Sequence, residues 1–412
     1  MELFTEKHYS KALVIGAGSG RDIASCVLVT ERLRQIGVEV DLAGFLSPWA
    51  LHMFDKVLEK PVNELTQKRS KKFIPSREGV SLDSYFEPTL YRLNGEFNLG
   101  VGSFYLFSLQ YGTERLGYEL AKLVKGNAYD AVIAVDVGGD ILARKKDYPW
   151  LLTPIVDFSC LSIVAGLRSG IDSYLTIVAP GTDGELPCQN LQDILEECKE
   201  QGLVLGFEEL TRDSSHYKMY ERVNREINSR TGSRSNTFRL IERVMSASSA
   251  KILETREKRV SIKERKWQLS FPVDLWPSLA KGVYHLDLEG VHSMRDTGLS
   301  YDSVLEAFRK LKALNAGGTE LDLSFVTGSI DDRGCHDMVF LLTPPDRIEE
   351  SVRKEILSYG IRLTARGDIP CSVLLAKDRS GVAIPSNLSI HEKENWGPEV
   401  LFTQIAEGEK QT

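Results

Sequence analysis

Cysteine is scarce. There are six in 412 residues, Cys26, Cys160, Cys188, Cys198, Cys335 and Cys371, and no two form a CxxC pair. That spacing argues against a zinc ribbon or a thioredoxin-type site, and it suits buried free thiols in a reducing compartment. No run approaches the ~18 apolar residues that a membrane-spanning helix needs. The N-terminus, MELFTEKHYSKALVIG, carries acids and lacks the apolar stretch of a signal peptide. Positive charge is not in excess: Lys and Arg total 51 against 58 Asp and Glu, for a formal charge of -7. This balance argues against a dedicated nucleic-acid binder, whose footprint is basic. There is no GxSxG elbow, internal repeat or low-complexity segment. The expectation is a soluble, cytoplasmic protein with neither nucleic acid nor membrane as partner; a homo-oligomer is compatible.

What is present is a regular alternation. Lys11–Ile15 is an apolar run that stops at Gly16, and residues 21–36 continue with apolar positions on one helical face. Val38–Phe45, Ala131–Val135 and Tyr174–Ala179 read as further strands. Leu109–Val124, Asp157–Ile171 and Leu191–Gln201 read as helices, with Asp157 near the N-cap of its helix. Near-continuous apolar strands between helices imply a parallel sheet covered on both faces. The fold class expected is α/β, a doubly wound, mostly parallel Rossmann-like sheet. Its domain spans 1–210, with a helical, charged segment next over 211–267. A smaller α+β domain is expected over 268–404, with strands at Tyr284–Leu288, Val339–Leu342 and Cys371–Ala376 and helices at Asp302–Leu314 and Asp346–Tyr359. Residues 405–412 read as a disordered tail.

Three strands end in polar, glycine-rich turns. The first is Gly16-Ala17-Gly18-Ser19-Gly20-Arg21-Asp22, between a strand and a helix. Glycines there let backbone N–H groups approach an anion at a helix N-terminus. The third glycine comes one residue early for GxGxxG. A tight turn without a ligand is the plainer alternative. The second is Asp136-Val137-Gly138-Gly139-Asp140, and the third Pro180-Gly181-Thr182-Asp183-Gly184-Glu185. Each comes after an apolar strand and sets two carboxylates around a glycine turn. Taken singly, such acids cap helices or decorate a surface turn. Taken together, parallel neighbouring strands would bring Asp22, Asp136, Asp140, Asp183 and Glu185 to one sheet edge. Five carboxylates in one cleft repel unless a cation or protons neutralise them. Oxygen-only donors select hard cations, Mg²⁺ or Mn²⁺.

The trio GAGSGRDIAS, DVGGD and APGTDGEL resembles the motif set of the uncharacterised family known as domain of unknown function 1152. Its members show a GGGGD-type loop, a D-GGD turn and a GPG-DGEL turn. The resemblance covers roughly residues 10–210, with a further echo at Gly317–Leu323, and departs where Ser19 and Arg21 interrupt the glycine run. It implies no activity. In motif style the acidic turns are also similar to the D-glutamate cyclase-like family. That likeness implies a manganese- or magnesium-dependent hydrolase or lyase, with Asp136, Asp140, Asp183 and Glu185 as counterparts.

The expected function is therefore a divalent-metal-dependent enzyme, a hydrolase such as a phosphatase or a lyase, acting on a small anionic molecule. Asp136, Asp140 and Asp183 would be catalytic. Asp22, Asp136, Asp140, Asp183 and Glu185 would hold Mn or Mg, and Gly16, Gly18, Ser19, Gly20 and Arg21 would bind the anion. A second reading is an S-adenosylmethionine-dependent methyltransferase or other nucleotide binder, with Asp41 on the second strand as its acidic residue. A third is a non-catalytic ligand sensor. Other features carry less. His285, His292 and His336 beside Asp287, Glu289 and Asp337 read as solvated or core histidines or, less simply, as a metal site. The basic loop Lys68–Lys72 with Arg77 reads as solvated surface or as a cover for an anion. The aromatics Tyr85, Phe86, Tyr91, Phe104, Tyr105 and Phe107 read mostly as core, with some free to line a pocket.

Overall fold

The computed structural model describes residues 2–19, 21–45, 60–68, 86–108, 111–144, 147, 154–167, 170–231, 235–247, 252–262, 265–295, 323–329, 335–341, 362–366 and 369–375. The strands of the main sheet are β1 (Lys11–Ser19), β2 (Glu39–Phe45), β3 (Val62–Glu64), β4 (Val101–Phe107), β5 (Ala131–Val137), β6 (Asp172–Val178), β7 (Val204–Glu209) and β10 (Gly282–Asp287). Their order is β3-β4-β2-β1-β5-β6-β10-β7. The inner pairings along β4-β2-β1-β5-β6 are all parallel. β3 runs antiparallel to β4, and β10 runs antiparallel to both β6 and β7. This is the doubly wound, mostly parallel α/β sheet that the apolar runs predict.

Helices α1 (Glu2–Lys7), α2 (Asp22–Gln35), α3 (Phe86–Phe97), α4 (Thr113–Gly126), α5 (Pro154–Ala165), α6 (Cys188–Glu200), α7 (Ser215–Thr231), α8 (Asn236–Ser246), α9 (Pro277–Ala280) and α10 (Leu288–Met294) accompany it. Side chains alternate between the faces of a strand. Leu13 and Ile15 of β1 and Val132 and Ala134 of β5 therefore join a core with α4, α5, α6 and α10. Ala12 and Val14, with Ala131, Ile133 and Val135, join a second core with α2, α3 and α7. Each fully buried aliphatic side chain in these layers contributes roughly 1.5–3 kcal/mol. Phe104, Tyr105 and Phe107 are buried in them, as the aromatic cluster predicts.

Two features depart from the reading of the sequence. The strand at 282–287, expected in the C-terminal unit, is an inner strand of the main sheet. Val283 pairs with Val178 on one side and Glu208 on the other. The segment 211–267, expected to be helical, holds α7 and α8 but also most of a long hairpin, β8 (Ile252–Ile262) with β9 (Arg265–Leu275). In β9 the apolar residues Trp267, Leu269, Phe271, Val273 and Leu275 stand at every second position, and this period of two prevails over the charged run Arg256–Arg259 of β8. A separate antiparallel sheet, in the order β11-β12-β14-β13, is formed by β11 (Leu323–Ser329), β12 (Cys335–Leu341), β13 (Arg362–Arg366) and β14 (Ile369–Leu375). The expected helices at 302–314 and 346–359, the tail and the basic loop beyond Lys68 lie outside the described residues. Among the described residues no helix is long and apolar enough to cross a membrane.

The chain steps from β1 outward through β2 and β4, then returns to lay β5 on the other side of β1. The switch point thus lies between β1 and β5, and its crevice opens at their carboxyl ends. Close packing fixes this region. A Cβ on Gly16 would lie 2.6 Å from the backbone N of Ile23, so α2 rests directly on β1 there. Gly16→Ala is expected to destabilise the fold by about 1–3 kcal/mol through overpacking. Gly95, inside α3 with open space around it, is the control. There alanine is expected to stabilise by about 0.5–1 kcal/mol through helix propensity. Urea unfolding of both variants measures the difference.

Candidate functional site

The three turns meet. Gly138 N–H donates to the carbonyl of Val178 at 3.0 Å, and Gly181 N–H donates back to the carbonyl of Gly138 at 2.7 Å. These two bonds sew the turn after β5 to the turn after β6. Gly138 and Gly139 have φ of +113° and +97°, a region open to glycine at little cost. A Cβ on Gly138 would also fall 2.1 Å from Oδ2 of Asp183. The glycine pair therefore turns the chain and makes room for a carboxylate from the neighbouring turn.

Asp136 is the penultimate residue of β5, and Asp140 opens a 3-10 turn over Asp140–Leu142. Asp22 is the first residue of α2. Asp183 folds back within its own turn, where Oδ1 accepts from Glu185 N–H at 2.9 Å. Asp136, Asp140, Asp183 and Glu185 are all buried. Asp22 is half-buried as a residue, yet its carboxylate packs against Gly18 and accepts from the backbone of Val137 in β5.

One member of the cluster is absent from the set that the motifs suggest. Pro154 begins α5 three residues earlier than the sequence pattern implies, in the position where proline suits a helix start. Asp157 then lies in the first turn of α5, where it is buried with its carboxylate turned to the cluster. Ligand oxygens of Asp136, Asp140 and Asp157 all lie within 4.8 Å of one another. A Cβ on Gly18 would meet Oδ1 of Asp157 at 2.8 Å and Oδ2 of Asp22 at 2.2 Å. A signal for this exists in the sequence: Asp157 is a solitary acid in the apolar stretch Leu151–Leu167. A charge kept in a buried helix has a partner or a task.

Burial pushes the carboxyls of Asp136, Asp140 and Asp157 well above the ordinary range, and neighbouring acids add to it, chiefly Asp22 and Asp183 at Asp136, Asp157 at Asp140 and Asp136 at Asp157. Asp22 is raised to about 8 by burial and by the charges of Asp183 and Glu185. Helix N-termini offset part of this cost, since Asp22 and Asp157 stand in the first turns of α2 and α5. They do not offset all of it. At an effective dielectric of about 20, two full charges 4.8 Å apart repel by ~3.5 kcal/mol. Three such pairs approach ~10 kcal/mol, a sum comparable to the whole stability of a typical domain. Among the described residues no Lys, Arg or His pairs with Asp136, Asp140 or Asp157. Protons or a cation must therefore supply the missing charge.

β1 does not stop at Gly16 but continues through an irregularity to Ser19. Gly16 admits α2, and Gly18 admits the two carboxylates. Gly20 lies outside the described residues. Arg21 reaches toward α7, where Nη1 donates to Oδ1 of Asn224 at 3.4 Å. Asp41 stands apart from the cluster. It is level with Leu13, three residues before Gly16, which is ~10 Å of strand. It accepts from Ser103 N–H at 2.6 Å, from the Tyr129 hydroxyl and from Lys11 Nζ at 3.0 Å. Asp41 is thus absorbed in the sheet and does not face the crevice. His285 is likewise structural: it is buried, with Nδ1 on the Thr176 hydroxyl at 3.0 Å. His292 lies in α10, and the His336 side chain is outside the described residues.

The raised carboxyls make stability depend on pH. Free of metal, the native state keeps protons on these groups that the unfolded chain has lost. For Asp22 the difference runs from 3.8 unfolded to about 8 folded. Its contribution is fully present below 3.8, declines as pH rises through this window and levels off above about 8. In chelator, the melting temperature is expected to fall between pH 5 and 8, and Asp22→Asn to make that fall shallower throughout this range. Thermal melts at stepped pH measure it.

No curated protein matches the sequence. The family model described as a protein of unknown function (DUF1152) matches residues 13–235, more than half of the chain and all three turns of the site. Apart from the first two residues of β1, the parallel strands fall within that span, as do the two acidic turns and Asp157, and the chain belongs to this family.

Proposed function

We propose that the chain is a divalent-metal-dependent enzyme, a hydrolase or lyase, that acts on a small anionic molecule in the crevice between β1 and β5. The observation that carries this reading is the meeting of Asp136, Asp140 and Asp157, from three separate elements, at the switch point of the sheet. Helix caps and surface turns do not bury carboxylates against one another. A hard cation at such a cluster supplies positive charge for a substrate oxyanion and acidifies a bound water. Mn²⁺ suits the irregular acidic set better than Mg²⁺, whose octahedral demand is stricter. Asp22, Asp183 and Glu185 shape the same crevice. The loop Gly16–Gly20 and Arg21 remain the proposed contacts for the anion, at the N-terminus of α2. The methyltransferase reading loses support, because Asp41 is already engaged by Ser103, Tyr129 and Lys11. Cys26, Cys160, Cys188 and Cys198 are buried free thiols, which supports a reducing, cytoplasmic setting.

The test is turnover. The full chain is incubated with Mn²⁺ or Mg²⁺ and a panel of small phosphate esters and carboxylate anions. Metal-dependent turnover is expected, lost in chelator and in Asp140→Asn. Saturating Mn²⁺ at ~100 times its dissociation constant is expected to stabilise the fold by about 2.7 kcal/mol. Asp140→Asn is expected to abolish most of that gain while stabilising the metal-free protein. A mere cap would do the opposite, losing about 1 kcal/mol on substitution. Absence of both turnover and a metal-dependent melting shift overturns the proposal.

A further inference from the structure

The six acidic residues of the crevice are not equivalent. Among the described residues, Asp136, Asp140 and Asp157 are the one set of three whose ligand oxygens lie within 4.8 Å of one another. Asp183 has a different occupation. Its Oδ1 accepts from the N–H of Glu185, and its carboxylate fills the space that Gly138 leaves open. Asp22 is held by the backbone of Val137, and its strongest acidic neighbours are Asp183 and Glu185. The strongest neighbouring charges on Asp140 are Asp157 and then Asp136, whereas Asp136 itself feels Asp22 and Asp183 most.

An independent observation points to the triad. Asp136 is 1% exposed, and its Oδ2 has no hydrogen-bond donor among the described residues. The group is not short of contacts in general, since the backbone of Gly139 and the side chain of Asp140 both bond to it. Its Oδ2 nevertheless stays buried without a donor. Leaving a charged acceptor unmet in that position is costly.

From this juxtaposition we infer that a single hard divalent cation is held by Asp136, Asp140 and Asp157, with Asp157 as its third protein ligand and Asp183 and Glu185 outside the coordination shell. The inference rests on the proposed metal-dependent function for the presence of a cation, and it replaces the ligand set that the motifs alone suggest. Asp183 becomes a positioning residue, acting through the Gly138 turn that carries Asp136 and Asp140. The three ligands come from the end of β5, the turn after it and the first turn of α5, so the site spans strand, turn and helix. Three carboxylates leave the remaining positions of a six-coordinate ion to water or substrate oxygens.

The experiment is calorimetric titration of the chelator-treated full chain with Mn²⁺ alone, so it needs no substrate. Wild type is expected to bind one Mn²⁺. Asp157→Asn and Asp157→Ser are each expected to weaken binding more than about 100-fold, beyond the about 10–100-fold cost of losing an outer-shell partner. Asp183→Asn and Glu185→Gln are expected to cost no more than that outer-shell range. Circular dichroism in chelator checks that each variant is folded. If the Asp157 variants fail to fold, Asp140→Asn against Asp183→Asn carries the same ranking. The inference is overturned if Asp157→Asn binds Mn²⁺ within about tenfold of wild type, below the cost of even an outer-shell partner. It is equally overturned if Asp183→Asn loses more affinity than Asp157→Asn, or if wild type binds no Mn²⁺ at millimolar concentration. In the first two cases the metal-enzyme reading survives with other ligands. Conversely, the expected ranking without turnover on any small anion leaves the cation site standing and removes the enzyme.

Discussion

Like charges held together out of water are the constraint on which the rest of this structure depends. Asp136, Asp140 and Asp157 are buried within 4.8 Å of one another without a basic partner among the described residues. Much of the surrounding construction is intelligible as what such an arrangement requires. Two helices direct their N-termini at the cluster, and two glycines give up their side chains to make space for it. Two backbone hydrogen bonds lock the turns on which the acids ride. The apolar layers on either face of the sheet supply the stability against which this local cost is set.

The two sides of the crevice are asymmetric. The wall made by β1 and α2 is tight, with Gly16 in contact with the backbone of Ile23. The wall made by the turns after β5 and β6 is acidic and hydrogen-bonded to itself. Asp22 belongs to both walls, being fixed by Val137 across the gap between β1 and β5. Asp22 alone among the six acids keeps part of its residue surface open, while its carboxylate is turned inward against Gly18 and Val137.

Much of this is legible in the sequence because parallel strands announce themselves. The runs at 11–15, 131–135 and 174–179 are apolar on both faces, and the residues just past each run must lie at one edge of the sheet. That reasoning alone brings Asp22, Asp136, Asp140, Asp183 and Glu185 together. It fails where a contact leaves no periodic trace. Asp157 reads as a cap because an aspartate near a helix start usually is one, and only the position of Pro154 shows that the helix begins earlier. Asp41 reads as a ligand because it lies on the second strand, whereas register with Leu13 puts it too far down the sheet. Composition misplaces residues 282–287, since a short strand carries no mark of which sheet it will join.

That strand has a consequence for the order in which the molecule is made. β10 covers the outer edge of β6, and Ala179, at the start of the third acidic turn, donates its N–H to the carbonyl of Gly282 at 2.9 Å. On a ribosome, the glycine turns and all six carboxylates are synthesised well before Gly282. Until then β6 is an open edge, and the strand that β7 pairs with is not yet translated. Non-local pairing of this kind is slow to form and exposed while it waits. The nascent protein therefore carries its charge cluster on an unfinished sheet, and the last inner strand to emerge is also the one that steadies the turn beside the site.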